Sequence, residues 1–236
     1  MKDSFKRITL LAGHYGSGKT NIAVNYAMYL AGEGKKVCIA DLDIVNPYFR
    51  TADSAKELQT AGVHLITPQF ANTNVDLPAL PAETYRLLTD KSSYGIMDIG
   101  GDDRGAYALG RYVPAIIEEN NYRMVFVVNC YRPLTKTPED ALEVMREIEA
   151  ACSLKFTDIV NNSNLGDETD VDTVMDSISY IEQLSKLSGL PVFLHTAKSD
   201  LADSLSHQLD NVMALTLQEK YFDLPEQKPA NRPLWG

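Results

Sequence analysis

A doubly wound, mostly parallel α/β sheet flanked by helices is the fold class this sequence predicts. Three observations predict it. Strand-like and helix-like segments alternate almost throughout the chain. Several of the strand-like segments are unbroken apolar runs, the pattern of parallel strands covered on both faces. A Gly-rich loop joins the first of these runs to a helix-like one.

The strand candidates are Arg7–Ala12, Lys36–Asp41, Val63–Ile66, Tyr94–Ile99, Arg123–Asn129, Phe156–Asn161 and Pro191–His195. Helices fill the gaps. After the loop, Ile22, Ala23, Tyr26, Ala27 and Leu30 make one apolar face at helical spacing. Thr137 is an N-cap with Pro138 at the first helical position, and Leu142, Met145 and Ile148 then recur along a helix. Val174, Ile178, Ile181 and Leu184 predict a further helix that Gly189-Leu190-Pro191 ends. These faces are core. On sheets of this kind ligands bind at the carboxyl ends of the strands.

The chain reads as a single nucleotide-binding domain over residues 1–236, with a Pro-rich stretch at 222–236 read as an extended surface tail. The formal net charge of −10 argues against a nucleic-acid scaffold, which needs Lys and Arg to neutralise phosphates. It argues in the same direction against docking on anionic lipid. Cys38, Cys130 and Cys152 show no C-x-x-C spacing, so no iron–sulfur cluster or zinc site is expected, and Cys38 and Cys130 read as buried thiols. The start, MKDSFKR, lacks a secretory apolar stretch, and Met124–Val128 is too short to span a bilayer. A cytoplasmic location is expected.

The loop Gly13-His14-Tyr15-Gly16-Ser17-Gly18-Lys19-Thr20 fits the phosphate-binding pattern G-x-x-x-x-G-K-[ST], the Walker A motif. Its glycines let the backbone wrap a phosphate chain, and the helix that follows adds its positive dipole end. Lys19 would reach the β/γ-phosphates, and Thr20 would offer its hydroxyl to Mg²⁺. At the second strand end, Asp41-Leu42-Asp43 presents two carboxylates that could serve Mg²⁺ and an attacking water. At the fourth, Asp98 ends an apolar run and precedes Gly100-Gly101, which is the Walker B logic: the carboxylate holds Mg²⁺ or its water opposite Thr20.

In this order, the loop, the D-x-D strand end and the Asp-x-Gly-Gly strand end resemble the MinD/ParA class of P-loop ATPases, which includes CobQ/CobB-like proteins and the nitrogenase iron protein. The resemblance spans residues 6–198. It implies a parallel sheet of seven or eight strands and Mg²⁺-dependent ATP hydrolysis coupled to homodimerisation, acting as a switch on a protein partner. By this likeness Asp43 orients the water, Asp41 and Asp98 support magnesium, and Asp41–Thr51 and Asp98–Arg104 are the two switches. Two departures stand out: His14 replaces the lysine that reaches the partner subunit's nucleotide, and Asp102 replaces a glycine. Arg50 and Arg104 either supply a cation in the lysine's place or simply make surface ion pairs.

The MinD/ParA class uses an Asn at the sixth strand end to contact adenine, which implicates Asn161 or Asn162. A polar turn is the competing reading of that Asn cluster. The guanine motif [NT]-K-x-D is nearly met by Ala197-Lys198-Ser199-Asp200, with alanine in place of Asn or Thr. ATP is therefore favoured over GTP. The segment 131–136 follows a strand end and either binds a partner or acceptor or is a plain connection. His64 and His195 read as core or edge histidines. The alternative to a switch ATPase is a small-molecule kinase, with its acceptor near Asp43, Asp102 and Arg132. A cluster-delivery role is disfavoured by the missing cysteine pair.

Overall fold

The computed structural model describes residues 5–42, 51–67, 83–101 and 103–217. Eight strands follow in chain order: β1 (Ile8–Ala12), β2 (Val37–Leu42), β3 (His64–Ile66), β4 (Tyr94–Ile99), β5 (Tyr122–Val128), β6 (Asp158–Asn161), β7 (Val192–Lys198) and β8 (Val212–Leu215). They form one sheet in the order β3-β2-β4-β1-β5-β6-β7-β8, with every pairing parallel. The helices are α1 (Lys19–Gly32), α2 (Ala55–Thr60), α3 (Thr84–Thr89), α4 (Asp103–Gly110), α5 (Val113–Glu119), α6 (Pro138–Cys152), α7 (Val171–Asp176), α8 (Ile178–Ser188) and α9 (Ser199–Ser206). The predicted fold class is the observed one. Asp43, Arg50, Asp102, the Arg104 side chain and the 222–236 stretch lie outside what is described.

Period-two alternation sends each central strand's side chains into two cores. On β1 and β5, Ile8, Leu10, Met124, Phe126 and Val128 pack with α4, α5, α6 and α8. Leu11, Val125 and Val127 pack on the opposite face with Ile22, Tyr26 and Leu30 of α1. Both sets are essentially removed from water, which is why these strands read as continuous apolar runs. Among the described residues no helix is long and apolar enough to cross a membrane.

Three sequence expectations need adjustment. β6 starts at Asp158 rather than Phe156, because the Phe156 N–H is taken by Glu149 Oε1 at 2.9 Å and is lost to the ladder. The helix expected across Val174–Leu184 is two, α7 and α8, divided at Ser177. There the Ser177 hydroxyl donates to Val174 O at 2.6 Å and accepts from Asn161 Nδ2 at 2.8 Å, and the Ser177 N–H bonds only three residues back. Strand β8 was not anticipated. It is a four-residue edge, tied by Thr216 and Asn25 through backbone–carboxamide bonds of 2.9 and 3.0 Å.

The α6 start follows its sequence signal. Thr137 Oγ1 accepts from Asp140 N at 3.1 Å, and Thr137 N donates to Asp140 Oδ2 at 3.2 Å, a reciprocal capping box. Thr137→Ala is expected to cost about 1 kcal/mol, read as a lowered urea midpoint with an unchanged slope. A midpoint equal to the wild type would show that the cap contributes nothing.

Candidate nucleotide-binding site

The loop after β1 is positioned by the strand behind it and the helix ahead of it. Ser17 N donates to His14 O at 3.2 Å, closing the loop on itself. Gly18 is the N-cap of α1 with φ +89°, a left-handed conformation that side chains rarely adopt. A Cβ at Gly18 would also sit 2.1 Å from Asn162 Nδ2, so both backbone and neighbour demand glycine. Gly13 lies under the Val127 carbonyl, and Tyr15 is 55% exposed at the loop's crest. Lys19 is buried, with Nζ donating to His14 O at 3.3 Å. His14 Nδ1 lies 3.0 Å from Tyr15 O. The loop thus meets a helix N-terminus whose dipole and amides suit an anion.

Asp41 and Asp98 are direct register partners on β2 and β4, and Leu11 of β1 is the partner of Asp98 on its other side. Their neighbours Ala40, Leu42, Met97 and Ile99 face the α4–α6 core, so both carboxylates face the α1 side, where Thr20 stands in the first turn of the helix. Both are buried, at 3% and 1% exposure. Thr51 Oγ1 donates to Asp98 Oδ2 at 3.2 Å. Adjacent strands lie about 4.8 Å apart. A divalent cation placed between Asp41 and Asp98 would favour the ionised form of both carboxyls. Among the described residues no group of three or more His, Cys, Asp or Glu could hold a metal. That composition still suits Mg²⁺, which takes one or two carboxylates, a hydroxyl and phosphate oxygens rather than an all-protein cage.

Gly101 follows Asp98 and presses on the loop. A Cβ there would lie 2.7 Å from Tyr15 N and 2.9 Å from Lys19 Nζ. Strand end and glycine-rich loop are therefore in close steric approach, which neither motif reveals alone.

A cleft of about 260 Å³ extends from Gly16, Gly18 and Asn21 toward the ends of β6, β7 and β8. Its far wall is Asn162, Ser163, Asn164, Thr196, Ala197, Lys198 and Leu215. Asn162 joins the two halves. Its Nδ2 donates to Ser17 O at 2.7 Å, and its Oδ1 accepts from Thr196 Oγ1 at 2.7 Å. Lys198 Nζ pairs with Asp167 at 3.2 Å on the same cleft.

The two asparagines offered for a base are thus placed differently from each other. Asn162 lines the cleft but spends its carboxamide clamping the phosphate loop. Asn161 does not line it: Nδ2 bonds Ser177 Oγ at 2.8 Å and approaches His195 Nδ1 at 3.3 Å, while Oδ1 accepts from Ser163 N. The reason is alternation, since successive strand-end residues point to opposite faces. Burial holds the His195 ring below its ordinary pKa and so favours the neutral imidazole. His64 is an exposed edge residue 3.0 Å from Glu83. Cys38 is buried, its thiol pushed up to about 12 chiefly by burial, whereas Cys130 is only half-buried at the end of β5.

Sequence reasoning missed Thr196, for which there was no signal, and the contact from Arg132 Nε to Gly16 O at 3.0 Å. Lys198 was visible only as part of the incomplete guanine motif. Asp200 of that motif sits in the first turn of α9 and does not line the cleft.

No family model and no curated protein matches the chain. Among solved structures it is similar to cell division protein FtsY from Thermotoga maritima, at 17% identity and TM-score 0.58, over 84% of this chain and 63% of that one. It is similar to FtsY from Mycoplasma mycoides, at 18% identity and TM-score 0.52, over 83% and 61%. It is also similar to the signal recognition particle 54 kDa protein from Aeropyrum pernix K1 in complex with GDP, at 17% identity and TM-score 0.51, over 83% and 42%. The chain spans less than two thirds of the length of each of these proteins. At such identities the likeness is one of fold, and the finer resemblance to MinD/ParA proteins rests on the motifs alone. The chain has the fold of a P-loop NTPase.

Proposed function

We propose that the protein is a Mg²⁺-dependent ATP-binding switch ATPase that acts on a protein partner, in the manner of the MinD/ParA class. The observation that carries this reading is the continuous cleft from Gly16 and Gly18 to Thr196 and Lys198, with the buried Asp41–Asp98 pair beside the loop. In this reading Gly13, His14, Tyr15, Gly16, Ser17 and Gly18 wrap the phosphate chain, and Lys19 neutralises the β/γ-phosphates. Thr20, Asp41 and Asp98 hold Mg²⁺, and Asp43 orients the attacking water. Magnesium would neutralise charge developing on the phosphate oxygens.

The close approach of Gly101 to Tyr15 and Lys19 supports the switch. A γ-phosphate drawing Lys19 away from His14 O would press on the segment after β4, and hydrolysis would release it. Adenine is favoured over guanine because Ala197 breaks the guanine motif and Asp200 is off the cleft.

Calorimetric titration with MgATP and MgGTP tests the reading. ATP is expected to bind at least about tenfold tighter, a difference of about 1.4 kcal/mol. Slow basal turnover is expected to rise with a co-purifying protein and not with metabolites. Binding of neither nucleotide would overturn the whole assignment, and tighter binding of GTP would overturn the choice of base.

A further inference from the structure

Arg132 sits in the connection after β5, and that connection is unusually well tied. Arg132 N donates to Asn129 O at 3.1 Å, and Thr135 N donates to Arg132 O at 3.1 Å. Thr135 Oγ1 donates to Asn129 O at 2.7 Å, and Tyr131 N donates to Asn129 Oδ1 at 3.0 Å. The Tyr131 hydroxyl fastens the segment to Thr173 O of α7 at 2.7 Å, and the Tyr180 hydroxyl of α8 donates to Thr135 O at 2.8 Å. The side chain is therefore delivered from a fixed base.

Its Nε donates to Gly16 O at 3.0 Å, so the guanidinium is laid along the phosphate loop. Arg132 lines the same cleft as Gly16, Gly18, Asn21 and Asn162. Among the described residues its two Nη groups have no protein partner, and no carboxylate pairs with it. In a chain of net charge −10, a guanidinium without a carboxylate beside an anion-binding loop stands out. One edge of the fork is spent on a loop carbonyl. The other edge presents donors in the plane suited to phosphate oxygens.

We propose that Arg132 binds the nucleotide's phosphate chain in cis, with Nε held by Gly16 O and the Nη edge on phosphate oxygens. This deepens the nucleotide reading and rests on it. It also supplies a cation at a loop where His14 stands in place of the class's extra lysine. Preorganisation by the Gly16 contact reduces the side-chain entropy lost when the phosphate arrives.

The test is calorimetric titration of MgATP and of magnesium tripolyphosphate into the wild type, Arg132→Gln and Arg132→Lys, with thermal unfolding of each as a control on folding. Gln keeps an N–H that can serve Gly16 O but has no charge, whereas Lys keeps the charge without the fork. Arg132→Gln is expected to weaken both ligands by about 10- to 150-fold, the range of one charge-assisted hydrogen bond. Arg132→Lys is expected to recover part of that loss. If Gln binds like the wild type, or if Gln and Lys are equally weakened, Arg132 serves only the loop and the proposal falls. If the wild type binds neither ligand, the nucleotide reading itself fails and takes this proposal with it. If the wild type binds MgATP but not tripolyphosphate, the MgATP ratios alone decide.

Discussion

Lys19→Ala is expected to abolish most of the protein's affinity for MgATP while leaving its fold intact. Lys19 Nζ donates to His14 O, but that carbonyl also accepts from Ser17 N, so removing the ammonium does not orphan it. At that carbonyl the structural cost is therefore small, and the melting curve reads the remainder. The binding cost is not small, because a charge-assisted bond to a phosphate is worth about 1.5–3 kcal/mol, or roughly 10- to 150-fold in affinity. Where the same group stabilises charge that develops in the transition state, turnover falls by a further factor of about 10²–10³. Calorimetry and steady-state phosphate release, with a melting curve alongside, separate these effects. An alanine variant that binds MgATP as tightly as the wild type would remove the basis for a phosphate-binding role of the loop.

The second large effect concerns stability and lies at the opposite end of the sheet. Arg7 is 7% exposed and makes a bidentate ion pair with Glu119 through Nε and Nη2. Its Nη1 donates to Leu87 O at 2.7 Å, Ser93 O at 3.1 Å and Asp90 O at 3.2 Å. One side chain thus fastens the entry to β1 to the end of α5, to α3 and to the turn before β4. Arg7→Ala leaves the Glu119 carboxylate with only Lys91, at 2.7 Å, and leaves three carbonyls short of a donor. The expected loss is about 3–5 kcal/mol. That is a large share of the roughly 5–15 kcal/mol by which domains are stable. The double variant Arg7→Met/Glu119→Leu is expected to lose far less, since no charge is then buried alone. A single variant within about 0.5 kcal/mol of the wild type in urea unfolding would refute the account.

The same pair sets an acid dependence. Burial pushes the Glu119 carboxyl up, but the bonds from Arg7 and Lys91 together outweigh it and hold the group below its ordinary 4.5. A depressed carboxylate contributes stability that is fully present above the unfolded value and is lost as pH falls through the folded one. The wild type is therefore expected to lose stability below about pH 4.5. In Arg7→Ala, with burial less opposed, that loss is expected to shrink.

The parts of the site that could be read in the sequence are those whose physics is local. A phosphate loop needs its glycines, lysine and threonine within one octet, and a strand end needs only its apolar run and the carboxylate that closes it. The Thr137 cap was legible for the same reason, since its partner Asp140 is three residues away. The break at Ser177 was not, because the hydroxyl that makes it is engaged by Asn161 on another strand, 16 residues back. Asn162 shows the limit most clearly. The class resemblance implied a base contact at Asn161 or Asn162 and no bond to the loop, whereas the Asn162 amide bonds Ser17 O, 145 residues earlier, because β6 and the glycine-rich loop converge at the same end of the sheet.

By itself, then, the sequence determined the fold class, the glycine-rich loop between β1 and α1, and the strand ends that carry Asp41 and Asp98. Apolar periodicity and contiguous motifs encode those directly. Only the tertiary structure decided that Asp41 and Asp98 are register partners, that Gly101 rests on Tyr15, and that Arg132 lies along Gly16, 116 residues away in the chain. Strand order brings these residues together. A β2–β4–β1–β5 sheet has to be assembled before any of them has a neighbour, and no local spacing records which strands will lie side by side.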